Sequence, residues 1–488
     1  MSVQDDKDKG SKMSTEEAGT KVFTMDSGTG LELTISTADA VADPPDGGKA
    51  WCLVFFAMIL ATLKKTFIDL QPKVVLFMES TNSSSSGGEL YSQPFSPNVT
   101  VEAQIVDTTY KALYAVSGIL SGILTVLTGY RWMALIGSFL TALGYLGAAF
   151  SDISNVHLIS FLYGALPGIG HNLIEVAIFS AILQYFRKRR LLALLIPSGG
   201  GYFGSVVANV MATFFSGLPG INIWKSYLLV QAGAACVMIP CSFFLKPLNV
   251  RMKRRANQSL LSFFMDMDEL KVFRSILLYV FAANCCLWDG GISVIEAKLP
   301  SFKDQRWHIS TGQLLMAIIG GVSIVGTCFS CCICSNIRLR SVVIAMVVFS
   351  GILFLLNMMA SLLYNFIYSI CYSVLVGLLK GLGNPLLEYI MPLLLGENNS
   401  AIGAAIMSCG QGIGKLSIPA IANEIEKSTQ KVDWCFYFAG VIFFVSAFVI
   451  VLTYRLHLRV TKSEVAPDNP DETPTRELES TGVDWERF

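Results

Sequence analysis

Several charged residues stand at helical spacing inside long apolar segments, where they could bind a charged ligand or carry a proton. In the first such segment Lys65, Asp69 and Lys73 follow one another at intervals of four residues, which places them on one face of a helix. Ionisable groups inside apolar segments are costly and usually face one another or an aqueous cavity. We therefore interpret this stripe as a binding or coupling site. In the alternative, Lys73 extends its ammonium group to the outer membrane surface.

A second group of ionisable residues is carried by two later segments. His171 and Glu175 lie one helical turn apart, so they could relay a proton or bind a cationic group. Equally, they could form a hydrogen-bonded pair that fixes helix packing. Asp289 and Glu296 are seven residues apart and share a helix face. We expect Asp289 at the site. We expect Glu296 near the outer end of its helix, where a solvent-exposed carboxylate needs no functional role.

A third group surrounds Pro385. Lys380, Asn384 and Glu388 follow at intervals of four, so a lysine and a glutamate share one helix face beside a proline. This stripe predicts a site for an anion or a zwitterion. The alternative is a structural pair in which Asn384 bridges Lys380 and Glu388. Lys415, in the next apolar segment, is a weaker candidate.

Other kinds of chemistry find no support in the sequence. The 12 cysteines are scattered, without CxxC pairs or histidines at metal-ligand spacing, so we predict no metal and no cofactor. A formal net charge of zero gives no reason to expect a nucleic-acid partner. There is no nucleotide-binding loop and no HExxH-type motif. The sequence therefore does not predict an enzyme.

The elements that must position these residues are membrane-spanning helices. Of the residues 53% are apolar and only 15% are charged, whereas about a quarter are charged in soluble domains. A span needs about 20 mostly apolar residues, and this predicts an all-α membrane protein with twelve transmembrane helices in two sets of six. The predicted spans are about 51–78, 107–128, 132–150, 156–185, a fifth ending near 216, 226–246, 273–297, 313–334, 341–363, 366–395, 401–423 and 434–455.

The segments between and beyond the spans predict the topology. Lys and Arg gather in cytosolic loops, and this places both termini in the cytosol. The predicted organisation is a disordered tail (1–45), an N-terminal half (46–246), a cytosolic linker (247–271), a C-terminal half (272–456) and an acidic tail (457–488). The Ser-, Gly- and Pro-rich stretch 79–105 predicts an extracellular loop, with glycosylation sequons at Asn82 and Asn98.

Two sequence motifs resemble the monocarboxylate transporters of the major facilitator superfamily. Four consecutive cations follow an aromatic pair, and two glycines four residues apart begin the next span, as in the family's loop between helices 4 and 5. The matching residues are Tyr185, Phe186, Lys188, Arg189, Arg190, Gly200 and Gly204. A partial match to the family's helix 1 signature consists of Asp46, Gly47, Gly48 and Trp51, with Lys49 and Ala50 departing from it.

This resemblance implies a major facilitator fold and alternating-access transport of a small carboxylate. It also implies roles for Lys73, in a Pro-Lys pair of helix 1, and for Glu388, in helix 10. In helix 8 the family has an aspartate and an arginine that bind and couple substrate, but Val322 and Gly326 stand at those positions. Proton coupling is therefore in doubt. The alternatives are a pH-independent facilitator for amino acids, creatine or hormone-like compounds, and a non-transporting scaffold or receptor-like protein.

The resemblance also implies a location and partners. It places the chain in the plasma membrane, within the lipid bilayer, with a small organic anion or zwitterion and protons as candidate ligands. Some family members reach the surface with a single-span immunoglobulin-like glycoprotein, and this is a candidate partner here. The sequence leaves open the substrate, the coupling stoichiometry, the direction of flux and the oligomeric state.

Overall fold

In the residues that it describes, a computed structural model of the chain has twelve long helices. It describes residues 47–48, 50–84, 101–151, 155–216, 223–246, 275–304, 309–333, 339–395 and 400–465, and these include no strand. In chain order the helices are α1 (Ala50–Ser84), α2 (Val101–Thr128), α3 (Tyr130–Phe150), α4 (Val156–Tyr185), α5 (Arg190–Ser216), α6 (Ile223–Phe243), α7 (Ile276–Asp304), α8 (Ile309–Ile333), α9 (Leu339–Met358), α10 (Phe366–Leu395), α11 (Ser400–Thr429) and α12 (Asp433–Val465).

Most of these helices are long and apolar enough to cross a membrane. Ten of the helices in the described ranges meet both criteria. Of the other two, α8 contains a shorter apolar stretch, Leu314–Ser330, and α11 carries four charged side chains, at Lys415, Glu424, Glu426 and Lys427. The predicted all-α membrane fold with twelve helices is confirmed.

The helix boundaries differ from the predicted spans mainly where apolar sequence gives way to polar sequence. Helix α1 continues to Ser84 and α2 already begins at Val101, so both helices extend into the predicted loop 79–105, and Asn82 lies in a helical segment. Helix α12 continues to Val465, into the predicted tail. Hydropathy marks the end of the membrane, but backbone hydrogen bonds continue a helix beyond it. Asn98, the tail 1–45 and the linker 247–271 lie outside the described residues.

The helices pack in the same pattern twice. In the N-terminal half, α1 packs on α5, α2 on α4, and α3 on α6; in the C-terminal half, α7 packs on α11, α8 on α10, and α9 on α12. The halves meet where α2 packs on α11 and α5 on α8. Such internal repeats place a ligand site between the halves near mid-membrane.

Glycines bring α1 and α5 close together. A Cβ added to Gly200 would lie 2.6 Å from Met58 Cγ, and one added to Gly204 would meet the carbonyl oxygen of Thr62. Thr62 and Thr66 each donate a hydrogen bond from Oγ1 across the seam, to the carbonyl oxygens of Gly200 (3.0 Å) and Gly204 (3.1 Å) respectively. Small residues at this spacing allow close helix approach in membranes, so these two glycines fix α5 against α1.

The two sequence motifs meet at one end of the bundle. The ring of Trp51, at the start of α1, lies 4.9 Å from the ring of Phe186, which is fully buried between α4 and α5. The side chains of residues 187–189 are exposed in the turn, and Arg190 Nε donates to the Phe186 carbonyl oxygen at 3.0 Å. We call this end of the bundle the basic end.

Candidate functional site

Five lysines and five carboxylates lie in the middle of the helices, and we call them the central charge cluster. They are Lys64, Lys65, Lys73, Lys380, Lys415, Asp69, Glu175, Asp289, Glu296 and Glu388. The halves share this cluster, because Ser198 of the N-terminal half donates a hydrogen bond to Glu388 of the C-terminal half. Lys415 Nζ of the C-terminal half also lies 5.9 Å from the ring centre of Tyr114 in the N-terminal half. The ten formal charges balance, as burial in a medium of low dielectric constant requires.

The predicted stripe on α1 is found on one helix face, directed at α5. Lys65 Nζ and Asp69 Oδ1 are 2.8 Å apart, and Ser205 of α5 donates a hydrogen bond to the other oxygen of Asp69. Lys73 Nζ donates to Asn209 Oδ1 at 2.8 Å. The stripe thus contacts α5 at two points along the helix, through Asp69 and through Lys73. The partner of Lys73 is a neutral amide rather than a carboxylate.

Glu175 of α4 has a partner that its sequence spacing did not predict. Lys64, next to the predicted stripe, places its Nζ 2.8 Å from Glu175 Oε2, and Tyr114 of α2 donates a hydrogen bond to the same carboxylate. Three helices therefore converge on Glu175. This ion pair joins α1 to α4 within the N-terminal half.

His171 is not the hydrogen-bond partner of Glu175. Its Nδ1 is 2.9 Å from the hydroxyl of Tyr110, the ring of Phe67 lies 6.1 Å away, and the histidine is fully buried. Tyr110 and Tyr114 lie one turn apart on α2 and match the spacing of His171 and Glu175 on α4. Each of the two residues therefore has its own tyrosine partner, and the alternative of a hydrogen-bonded His171–Glu175 pair is not found.

In the C-terminal half, Lys380 forms a direct ion pair with Glu296 of α7. Its Nζ also lies 5.4 Å from the ring centre of Tyr202, on α5 of the other half. The Tyr202 hydroxyl donates to the Lys380 carbonyl oxygen at 3.2 Å. The expectation that Glu296 is an ordinary exposed residue was wrong, because it supplies the counter-ion of a lysine that is buried.

The alternative for α10, a structural pair of Lys380 and Glu388 bridged by Asn384, is not found. Asn384 Oδ1 accepts a hydrogen bond from Trp288 Nε1 at 2.6 Å, and Glu388 Oε2 accepts one from Ser198 Oγ of α5 at 2.9 Å. All three residues do share a face of α10, as their spacing requires. However, Lys380 and Asn384 are met by side chains of α7, and Glu388 by a side chain of α5.

Asp289 and Lys415 form the loosest pair of the cluster. Asp289 Oδ1 lies 3.9 Å from Lys415 Nζ, and Oδ2 is buried with no hydrogen-bond partner among the described residues. The side chain of Lys415 is 38% exposed, with Nζ 5.9 Å from the ring centre of Tyr114 in the other half. The sequence predicted Asp289 at the site and gave Lys415 as a weaker candidate.

Two features of the site were not predicted from the sequence. Lys64 and Glu296 were visible as charges within predicted spans, but their ion-pair partners were not predicted. The neutral partners Ser198, Ser205, Asn209, Tyr114 and Tyr202 gave no signal, because these residue types occur throughout membrane helices. Among the described residues, no group of three or more His, Cys, Asp or Glu side chains is placed to hold a metal ion.

Similar sequences agree with this architecture. The family model for the Major Facilitator Superfamily matches residues 53–419. Monocarboxylate transporter 14 of Homo sapiens is 26% identical over 121 residues, which cover 25% of this chain and 23% of that protein. Monocarboxylate transporter 13 of Bos taurus is 28% identical over 209 residues, covering 43% and 45%. The match thus spans less than half the length of each relative, and the predicted resemblance to monocarboxylate transporters is confirmed.

Solved structures extend the likeness over most of the fold. The proton:xylose symporter XylE, bound to 6-bromo-6-deoxy-D-glucose, has a TM-score of 0.64 at 14% identity, covering 82% of this chain and 95% of that one. The transporter FucP in the outward conformation has a TM-score of 0.57 at 13% identity, covering 82% and 98%. At these identities the likeness concerns the fold alone. Because the superfamily model also covers the sequence from α1 into α11, the chain belongs to the major facilitator superfamily.

Proposed function

We propose that the protein is a secondary transporter that moves a small monocarboxylate or a related organic solute by alternating access. The central charge cluster between the two halves is the observation that carries this proposal. Ionisable groups at membrane depth are costly and usually mark a substrate or ion pathway. A scaffold without a pathway would have no need for ten charged side chains there.

Contacts between α5 and α10 support a rocking motion of the halves. Ser198 donates a hydrogen bond to the Glu388 carboxylate and Tyr202 to the Lys380 carbonyl oxygen, so side chains of α5 bind α10 of the other half. Alternating access requires such contacts to break on one side of the site while others form. We propose that these two contacts change in each transport cycle.

The packing of α8 bears on proton coupling. A Cβ added to Gly326 would lie 2.6 Å from the carbonyl oxygen of Leu378, so an arginine at this position would displace α10. Val322 belongs to the same seam, 3.2 Å from the position of a Cβ added to Gly377. The arginine that the resemblance implies for helix 8 therefore has no room here, and the anion-binding pair cannot form at these two positions. If the protein binds an anion, lysines of the central charge cluster must supply the cation in place of this arginine.

A second candidate function is pH-independent transport of a zwitterion such as an amino acid or creatine. The observation that favours it is the mixed character of the cluster, which offers both cations and carboxylates near the interface of the halves. A zwitterion needs both kinds of group, whereas a simple carboxylate needs only a cation.

Uptake into liposomes that contain the purified protein would test these functions. The panel is lactate, pyruvate, an aromatic amino acid and creatine, each at about pH 6 and about pH 7.5, values that bracket histidine titration. We expect saturable uptake of at least one compound. Acid-stimulated lactate uptake would support a proton-coupled carrier, and pH-independent zwitterion uptake the facilitator. No uptake of any compound would contradict transport and favour the scaffold.

We further propose that the protein resides in the plasma membrane with both termini in the cytosol. The basic turn between α4 and α5 then faces the cytosol, in agreement with the distribution of cations in membrane proteins. Antibody access to terminal tags in intact and permeabilised cells would test this orientation. A mobility shift on glycosidase treatment that disappears in an Asn98→Gln variant would place the loop between α1 and α2 outside.

A further inference from the structure

We propose that Lys415 binds the carboxylate of the transported anion, and that Asp289 is its counter-ion in the empty carrier. This inference rests on the proposed transport function and adds to it one residue that meets the substrate. The expected substrate class is a small organic anion with one carboxylate.

Lys415 is the least satisfied of the paired lysines. The Nζ atoms of Lys64 and Lys65 lie 2.8 Å from a carboxylate oxygen, and Lys380 is in direct contact with Glu296. Charge-assisted hydrogen bonds span about 2.7–2.9 Å, so the 3.9 Å between Lys415 and Asp289 is too long for one. The ammonium group of Lys415 therefore keeps donors that a ligand can use.

Lys415 is also the most accessible of these lysines. Its side chain is 38% exposed, against 6–24% for the other three. At 100° per residue, the exposed Ile413 and Ile421 lie on the opposite side of α11. Because Lys415 instead faces the Tyr114 ring across the interface, its exposed surface lies toward the space between the halves.

Lys73 resembles Lys415 in one respect, since neither lysine makes a hydrogen bond to a carboxylate among the contacts described. However, its Nζ makes a 2.8 Å hydrogen bond with Asn209, and it belongs to the N-terminal half alone. Lys415 touches both halves, because it lies between Asp289 of α7 and the Tyr114 ring of α2. A ligand held by Lys415 would therefore contact the two parts that move.

Asp289 provides the second, independent observation. Only 5% of this residue is exposed, and its buried Oδ2 has no partner among the described residues. Buried polar atoms in folded proteins are nearly always hydrogen-bonded. The unsatisfied oxygen points to a place where a group binds during the cycle, next to the lysine that would hold the anion.

The same two helices contain a matched control pair. Lys298 of α7 is in direct contact with Glu426 of α11, so this pair bridges α7 and α11 as Asp289 and Lys415 do. Lys298 lies outside the central charge cluster. Replacing it removes a bridge between these helices without touching the proposed anion site.

The test measures uptake of labelled lactate and of labelled pyruvate into liposomes. The liposomes contain wild type, Lys415→Gln, Lys298→Gln or the double variant Asp289→Asn/Lys415→Gln. We expect Lys415→Gln to reduce uptake by about 100-fold, because a charge-assisted contact to the substrate is lost. Uptake by Lys298→Gln should stay within about threefold of wild type. Uptake by the double variant should be as low as that by Lys415→Gln, since neutralising Asp289 balances the charge but does not restore the cation.

Recovered uptake in the double variant would overturn the proposal, because it would show that the pair only balances charge. Uptake by Lys415→Gln close to the wild-type value would overturn it as well. If Lys415→Gln does not fold, Lys415→Arg keeps the charge, and an unchanged KM in that variant would count against direct contact. Absence of uptake by wild type would instead overturn the proposed transport function itself.

Discussion

The charged groups of the two halves are organised differently. In the N-terminal half, Lys65 and Asp69 pair within one helix, and Ser205 of the same half binds the carboxylate. In the C-terminal half, Lys380 pairs with Glu296 of another helix, and it also lies against Tyr202 of the opposite half. The direct contacts of the first pair lie within one half, whereas the second pair also contacts the opposite half. We therefore expect the C-terminal pair to be more sensitive to change.

The largest effect is expected from Lys380→Gln. It leaves Glu296 as an unpaired charge, and breaking a buried ion pair costs about 3–5 kcal/mol. We expect a lower unfolding temperature of the purified protein and loss of uptake. The double variant Lys380→Gln/Glu296→Gln should recover the unfolding temperature, since no isolated charge remains, but not uptake. Undiminished transport by Lys380→Gln would contradict the assignment of Lys380 to the site.

A smaller effect is expected from Lys65→Gln. Asp69 keeps the hydrogen bond from Ser205 and the nearby charge of Lys73, so we expect uptake to fall by about tenfold with little change in unfolding temperature. Lys111→Gln is the matched control, because Lys111 and Asp107 form an ion pair of the same spacing on α2. If both variants lose the same amount of uptake, the effect of Lys65 is not specific to the cluster.

The smallest effect is expected from Ser198→Ala, which removes one hydrogen bond between the halves. Such a bond is worth about 1 kcal/mol, so the balance between carrier conformations should shift by several-fold. We expect a comparable change in the KM of uptake, with transport retained. Ser417→Ala is the control, since Ser417 binds only a carbonyl oxygen of its own helix among the contacts described. A complete loss of uptake would mean that Glu388 needs Ser198 for substrate binding.

Features that depend on local sequence could be predicted. Apolar length gave the twelve helices, because a bilayer requires about 20 apolar residues whatever the fold around them. The four cations after Phe186 predicted a surface turn, and residues 187–189 are exposed there. Spacing also gave the shared faces of α1 and α10, since 100° per residue is a property of any α-helix.

Partner choice was decided only by the tertiary structure. Helical spacing gives the face on which a side chain lies but not the helix that packs on it. The hydrogen-bond partner of His171 is therefore Tyr110 and not Glu175. Glu296 forms an ion pair with Lys380, and Glu388 accepts a hydrogen bond from Ser198. Each contact joins residues far apart in sequence, and helix rotation and depth in the bundle set their distances. The sequence alone thus determined which charges lie in the membrane, and the packing of the helices determined which of them remain available to a ligand.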